Sequence, residues 1–277
     1  MSISQHLNVL LLQYKPCDNI NKNIEKIKIL LNNASVIKNT LVVCPELSIQ
    51  KYICIIKDKN LFSQALDIDS QIFNDLKNIS KNYKIFLCIT VFMKVKNSYF
   101  NTAMIFDPSG KIIKKYNKKH IPSEYCYQEK YYFDQPKNNF KYFKIKNFKI
   151  GILICWDQWH QRSYEYMKKN NVNLIICPTA IGYGKVKNKS ISLLNEQKKW
   201  VNVISANSLM INTPIVVSNR TGKETMKDSS ISFWGSSFIS DSNGDVVKKC
   251  PQGEGFIHYK FLIKDQITAK RMWNFVE

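Results

Sequence analysis

Ile150-Gly-Ile-Leu-Ile-Cys-Trp-Asp-Gln-Trp159 is the stretch around which the rest of this chain is organised. Ile150, Ile152, Leu153 and Ile154 form an apolar, β-branched run of the kind found in a strand covered on both faces. The run stops at Cys155, and a polar, helix-compatible segment follows from Gln161 to Lys169. A strand that turns sharply into a helix lifts the cysteine thiol clear of the sheet. It also sets the sulfur near the backbone N–H groups of a helix start, where thiolate is favoured. Taken alone, a cysteine at a strand end is more often inert packing. Its meaning depends on what the other strands deliver to the same edge.

Upstream, Asn8 to Gln13 reads as a short buried strand, with a turn at Pro16 and a helix cap at Asp18. Ile20, Ile24, Ile27, Leu31 and Ala34 recur at helical spacing and leave lysines on the outer face. Thr40 to Cys44 is the next strand, ended by Pro45-Glu46, which completes a β-α-β opening. Ser48 to Ile68 has no clear pattern. Ser70 to Lys81 reads as a helix, Ile85 to Phe92 as a strand, and Phe100 to Phe106 as its hairpin partner. Asp107-Pro-Ser-Gly110 is a turn before a strand to about Tyr116. A long aromatic loop then runs from Asn117-Lys-Lys-His-Ile-Pro122 through Phe140, and loops of that length commonly wall active sites.

Downstream of the cysteine, Val172 to Cys177 is a core strand that runs into Pro178-Thr-Ala-Ile-Gly182. Leu193 to Met210 reads as a helix with Trp200, Val203, Ile204 and Leu209 facing inward. Pro214 to Asn219 is a strand, and Arg220-Thr-Gly222 turns away from it. Ser236 to Ile239, a turn at Asp241-Ser-Asn-Gly244 and two strands through about Leu262 finish the sheets. No repeat or low-complexity linker divides the chain, so residues 1–277 are expected to form a single α/β domain.

Lysine and arginine number 41 against 21 aspartates and glutamates, a formal net charge of +20. That balance raises a nucleic-acid reading. The lysines, however, are spread along the whole chain among asparagines and isoleucines, with no RNA- or DNA-binding motif beside them. A solvated basic surface is expected, with no nucleic-acid partner. The 8 cysteines (17, 44, 54, 88, 126, 155, 177, 250) are scattered, without Cys-x-x-Cys or a Cys/His pair at zinc spacing. Reduced thiols and no bound metal are the expectation. No apolar run is long enough to cross a membrane, and the first residues lack a signal core, so no membrane partner and a cytoplasmic location are expected.

Glu46, Lys118 and Cys155 each fall just beyond a strand's carboxyl end, the edge where α/β proteins place their chemistry. Pro45-Glu46-Leu47, Lys118-Lys-His-Ile-Pro122 and Gly151-Ile-Leu-Ile-Cys155-Trp-Asp157 resemble, in order, the glutamate, lysine and cysteine motifs of the nitrilase (carbon–nitrogen hydrolase) superfamily. The resemblance runs from Asn8 to about Trp273. Tyr127-Gln-Glu-Lys-Tyr-Tyr-Phe133, Cys155-Trp-Asp-Gln-Trp159, Pro178-Thr-Ala-Ile-Gly182 and Ser218-Asn-Arg-Thr-Gly-Lys-Glu224 are most similar to the branch acting on N-carbamoylputrescine.

The resemblance implies a four-layer α-β-β-α sandwich that self-associates, and hydrolysis of the C–N bond of an N-carbamoyl amine. It implies Cys155 as nucleophile, Glu46 as the base that takes and returns the proton, and Lys118 as the charge beside the oxyanion. The backbone N–H of Trp156 would assist Lys118, and Glu129 would orient the lysine or the substrate. Asp157 and Thr179 would touch the substrate, Asp157 and Glu129 lending negative charge to a cationic tail. No metal or organic cofactor is called for. The chain departs from its relatives at Tyr183-Gly-Lys-Val-Lys187, where they carry acidic residues, at Asn195-Glu-Gln-Lys-Lys199 and at Ser48-Ile-Gln-Lys-Tyr52. Two other readings stay open. One is a different linear-amide or N-carbamoyl amino-acid hydrolase, with Arg220 or Lys187 gripping a substrate carboxylate. The other is a basic binding protein that keeps the fold without the chemistry.

Overall fold

The computed structural model describes residues 6–273 except 138, 188 and 191–194. The chain opens with β1 (His6–Gln13), α1 (Ile20–Asn33), β2 (Leu41–Val43), α2 (Gln71–Tyr83) and β3 (Phe86–Val95). Then come β4 (Ser98–Phe106), β5 (Ile112–Asn117), the short α3 (Glu129–Tyr132), β6 (Lys141–Ile145) and β7 (Phe148–Ile152). After α4 (Gln161–Lys169) follow β8 (Leu174–Thr179), β9 (Gly182–Val186), β10 (Lys189–Ser190) and α5 (Glu196–Met210). The rest is β11 (Ile215–Asn219), β12 (Thr221–Met226), β13 (Ser229–Trp234), β14 (Phe238–Ser240), β15 (Val246–Lys249), β16 (Gly255–Leu262) and α6 (Ile263–Met272).

Two six-stranded sheets share one plan. The first has the order β16-β1-β2-β3-β4-β5 and the second β15-β14-β11-β8-β7-β6. Each has three central parallel strands, β1-β2-β3 and β11-β8-β7, flanked by antiparallel ones. Parallel pairs need crossovers, which α1, α2, α4 and α5 supply.

The period-two alternation of the strands sets the layers. On the first sheet Val9, Leu11, Leu41, Val43, Ala103 and Ile105 share a core with Ile150, Ile152 and Val216 of the second sheet. Their neighbours Leu10, Leu12, Val42, Leu87, Ile89 and Met104 turn the other way, onto Ile24, Ile27 and Leu31 of α1 and Phe73, Leu76 and Ile79 of α2. Across the second sheet, Gly151 faces α4, where a Cβ would lie 2.4 Å from Met167 Sδ. Trp200 and Ile204 of α5 are fully buried in the same core. The result is an α-β-β-α sandwich.

A third sheet, β10-β9-β13-β12, had no counterpart in the sequence reading. β9 continues from β8 and β12 from β11, so this sheet sits at the carboxyl ends of the second sheet's central strands. Its Ile231 and Phe233 enclose a separate cluster with Leu47, Tyr52, Ile53, Cys54 and Tyr132. The unpatterned stretch after Ser48 folds here as two 3₁₀ turns, Ile53–Ile55 and Lys59–Gln64, and the long aromatic loop carries α3. The cap of α1 is Asn19, whose Oδ1 accepts from Lys22 N–H at 3.0 Å, rather than Asp18. Of the expected Leu193 helix, residues 193 and 194 lie outside the described residues, and Asn195, at φ +59°, is the cap from which α5 starts.

Candidate active site

Glu46 follows β2 by way of Cys44 and Pro45, and its N–H donates to Thr179 O at 3.2 Å. Leu47 then adopts φ +47°, a left-handed conformation that reverses the chain. Arg220 clasps this turn. Its guanidinium is fully buried and donates to the carbonyls of Glu46 and Leu47 at 2.8 Å each and of Gln50 at 3.1 Å. Glu224 balances the charge through Oε1, at 3.0 and 2.5 Å, while its Oε2 accepts Tyr52 N–H at 2.8 Å. Arg220 is thus committed inside the protein and cannot grip a substrate carboxylate, which corrects one sequence expectation. Lys187 is exposed beyond β9.

Lys118 follows directly on β5, with its N–H on Asn101 O at 2.9 Å. Its Nζ donates to Glu46 Oε1 at 2.7 Å and to the two oxygens of Glu129 at 2.8 and 2.6 Å. An ammonium has three donors, and all three are aimed at these carboxylates. Burial opposes the lysine's charge, but Glu129 and Glu46 together hold it well above its usual range. Burial also pushes the Glu129 carboxyl up to about 7, against the pull of Lys118. Tyr52 OH donates to Glu129 Oε1 at 2.6 Å.

Asn101, on β4, escaped the sequence reading. Its Nδ2 donates to Glu46 Oε1 at 2.7 Å. That oxygen therefore receives two donors, whereas Glu46 Oε2 is buried with no partner among the described residues. The available signal was a polar residue inside the apolar strand Phe100-Asn-Thr-Ala-Met-Ile-Phe106.

Cys155 is only 4% exposed, and its Sγ lies 3.8 Å from Ala180 O. Its φ of +43° is strained for a residue with a side chain, at a cost of about 1–3 kcal/mol. The thiol is pushed well above its usual range, first by burial and then by Glu46. This corrects the expectation of a thiolate at a helix start. Cys155 opens a five-residue 3₁₀ turn, Cys155–Trp159, and α4 begins only at Gln161, so no long helix dipole reaches the sulfur. A protonated thiol beside a carboxylate needs that carboxylate as a base.

Asp157 does not face a ligand, contrary to expectation. Its Oδ1 takes His120 N–H at 2.8 Å and lies 3.0 Å from His120 Nδ1. Its Oδ2 accepts from Tyr116 OH at 2.8 Å and Ile154 N–H at 3.0 Å. The aspartate therefore ties the lysine loop to the cysteine turn. Thr179 likewise turns its Oγ1 back to Cys177 O at 3.0 Å, and its carbonyl holds the N–H groups of Glu46 and Arg220, each at 3.2 Å. The Trp156 side chain is partly exposed, with its ring edge-on to His160. Asn219 fixes the turn next to the thiol, accepting from Ile181 N–H at 3.0 Å and donating to Ile181 O at 3.0 Å. Tyr127 OH bridges the N–H and carbonyl of Gly182 at 2.9 and 3.0 Å. No cluster of three metal-ligating side chains occurs among the described residues.

A buried carboxylate with one free oxygen, an ammonium and a thiol on a strained turn are together equipped for acyl transfer through a thioester. Against known proteins, the chain matches the family described as Carbon-nitrogen hydrolase over residues 9–268. It is 29% identical to a citrullinase of Francisella tularensis, over 97% of this chain and 93% of that one. It is 28% identical to an N-carbamoylputrescine amidase of Solanum lycopersicum, over 96% and 89% respectively. A solved carbon–nitrogen hydrolase from Helicobacter pylori G27 superposes with a TM-score of 0.89 at 25% identity, covering 98% of this chain and 94% of that structure.

Proposed function

This chain belongs to the carbon–nitrogen hydrolase family, and from that premise we propose that it hydrolyses a terminal ureido group, with N-carbamoylputrescine as first substrate. The observation that carries the reading is the buried array in which Glu46 and Glu129 share the Lys118 ammonium on the same edge as the Cys155 thiol. Glu46 takes the thiol proton as the sulfur attacks the ureido carbon, and Lys118 and the N–H of Trp156 stabilise the oxyanion. One C–N bond then breaks, Glu46 gives its proton to the departing nitrogen, and a carbamoyl thioester remains on Cys155. Water, deprotonated by Glu46, attacks the thioester, the C–S bond breaks, and Glu46 returns the proton to the Cys155 sulfur. The carbamate so released decomposes to carbon dioxide and the second nitrogen product. The chemistry runs on these side chains, at an expected cytoplasmic site and in a self-associated protein.

A second reading keeps the ureido group and adds a carboxylate to the tail, as in citrulline. Two features favour it: the similar identity to a citrullinase, and the lysines of β9 and its turn, Lys185 and Lys187, where acidic residues were expected. The test is ammonia release from N-carbamoylputrescine, citrulline, N-carbamoyl-β-alanine and glutaramate, with Cys155→Ala as control. Activity on the diamine derivative, lowered about a thousandfold or more in the mutant, is expected. Activity on citrulline alone moves the assignment to the second reading. Activity on none, with a folded wild type, removes both.

A further inference from the structure

Three elements converge on Asn101. Its strand, β4, pairs with β5 from Thr102↔Asn117 onward, so the next residue of each strand's approach to the site is Asn101 and Lys118. The Asn101 carbonyl accepts Lys118 N–H at 2.9 Å, and its side-chain amide donates to Glu46 Oε1 at 2.7 Å. One residue therefore holds both the lysine and the glutamate, through its backbone and side chain respectively. The amide's orientation is fixed by chemistry, because an ionised carboxylate only accepts and must meet Nδ2 rather than Oδ1. Asn101 is 1% exposed and Glu46 fully buried, so water does not compete for this contact.

The two oxygens of Glu46 are consequently unlike. Oε1 accepts from Asn101 Nδ2 and Lys118 Nζ, both at 2.7 Å. Oε2 has no partner among the described residues. We infer that Asn101 is a positioning residue that assigns the proton shuttle to Oε2 of Glu46, by occupying Oε1 together with Lys118. The inference rests on the hydrolase reading above and deepens it. With Oε1 engaged, the proton leaving Cys155 forms its new O–H bond at Oε2 as the S–H bond breaks. The same oxygen releases that proton to the departing nitrogen. The other charged or titratable groups at this carboxylate are Lys118, Glu129, Tyr52, Cys54 and the Cys155 thiol, with Arg220 on its backbone carbonyl.

The test compares wild type with Asn101→Leu and Asn101→Asp, by the pH dependence of hydrolysis and of iodoacetamide alkylation at Cys155, followed on the Cys155 peptide by mass spectrometry. Alkylation needs no knowledge of the substrate. The acid limb is expected to move up by about one pH unit in Asn101→Leu, the consequence of one lost charge-assisted donor. It is expected to move further in Asn101→Asp, which sets a second carboxylate against Glu46. Should Asn101→Leu fail to fold, the near-isosteric Asn101→Asp carries the measurement. A folded variant that loses rate while its acid limb stays at the wild-type pH in both assays overturns the inference. A wild type that hydrolyses no amide but shows the shifted alkylation limbs sinks the substrate assignment and leaves the role of Asn101 standing.

Discussion

At the scale of single residues, the site is a problem of charge inside a dry protein. Glu46, Lys118 and Glu129 lie wholly buried, and one ammonium serves two carboxylates. Glu129 bears the consequence: burial lifts its carboxyl from 4.5 to about 7. A carboxyl whose folded pKa exceeds its unfolded one binds its proton more tightly when folded. Its contribution to stability is complete below about pH 4.5 and is lost as the pH rises through about 7. Glu129→Gln removes that titration, so urea midpoints measured from pH 4.5 to 7.5 should decline less steeply in the mutant. An unchanged slope would mean that Lys118 keeps Glu129 ionised throughout. Glu46, Lys118 and Cys155 stood out in the sequence because each follows a strand and sits in a stretch that resembles a motif of the carbon–nitrogen hydrolase family. Asn101 could not, since one amide in an apolar strand looks like a satisfied core polar until its partner is known. Asp157 and Arg220 misled for the opposite reason. Charged residues near a motif look available for ligands, and only the fold shows that their hydrogen bonds are already used.

At the scale of elements, the sharpest sequence signals marked those that sit at one edge of the sheets. The helix after the cysteine spans Gln161–Lys169, as its composition indicated, and the strand before it ends two residues early because Leu153 and Ile154 already lead into the 3₁₀ turn. The third sheet was not legible. β12 reads Thr-Gly-Lys-Glu-Thr-Met and β9 Gly-Tyr-Gly-Lys-Val, too polar and glycine-rich to stand out as strands, and each pairs with β13, which lies between them where β8 and β11 deliver them. The cysteine turn and the lysine loop meet through Asp157, which gathers Tyr116, His120 and Ile154. Asp157→Asn replaces an acceptor with an amide whose N–H₂ must face other donors. The expected loss is roughly 1–3 kcal/mol of stability. Because the tie aligns Lys118 with Cys155, kcat should fall more than KM rises. Chemical denaturation together with steady-state kinetics checks both, and an intact kcat in a destabilised mutant would reduce Asp157 to a brace for the fold alone.

At the scale of the whole molecule, the two sheets bury the acids unevenly. Glu46, Glu129, Asp157 and Glu224 are inside, while Lys118 and Arg220 are the buried basic side chains among the described residues. Two buried bases against four buried acids leave the interior net negative, so the surface carries the whole of the formal +20 and more. The surface ion pairs that offset it are few among the described residues: Lys26–Glu254, Lys28–Glu25, Lys51–Asp18 and Lys227–Asp58. Exposed pairs of this kind contribute about 0–1 kcal/mol each. Long-range repulsion among unpaired lysines then acts against the compact state, and it is strongest where the screening length is longest. That length falls from about 30 Å at 0.01 M salt to about 8 Å at 0.15 M. The melting temperature should accordingly rise across that range of sodium chloride, most steeply at the low end, and then level off. Sodium sulfate would confuse the result because it strengthens apolar burial as well, so chloride is the salt to use. A melting temperature that stays flat would mean the lysines lie too far apart on the surface to repel one another. In that case the high charge bears on solubility and encounter with anionic partners, and stability rests on the packed sheets alone.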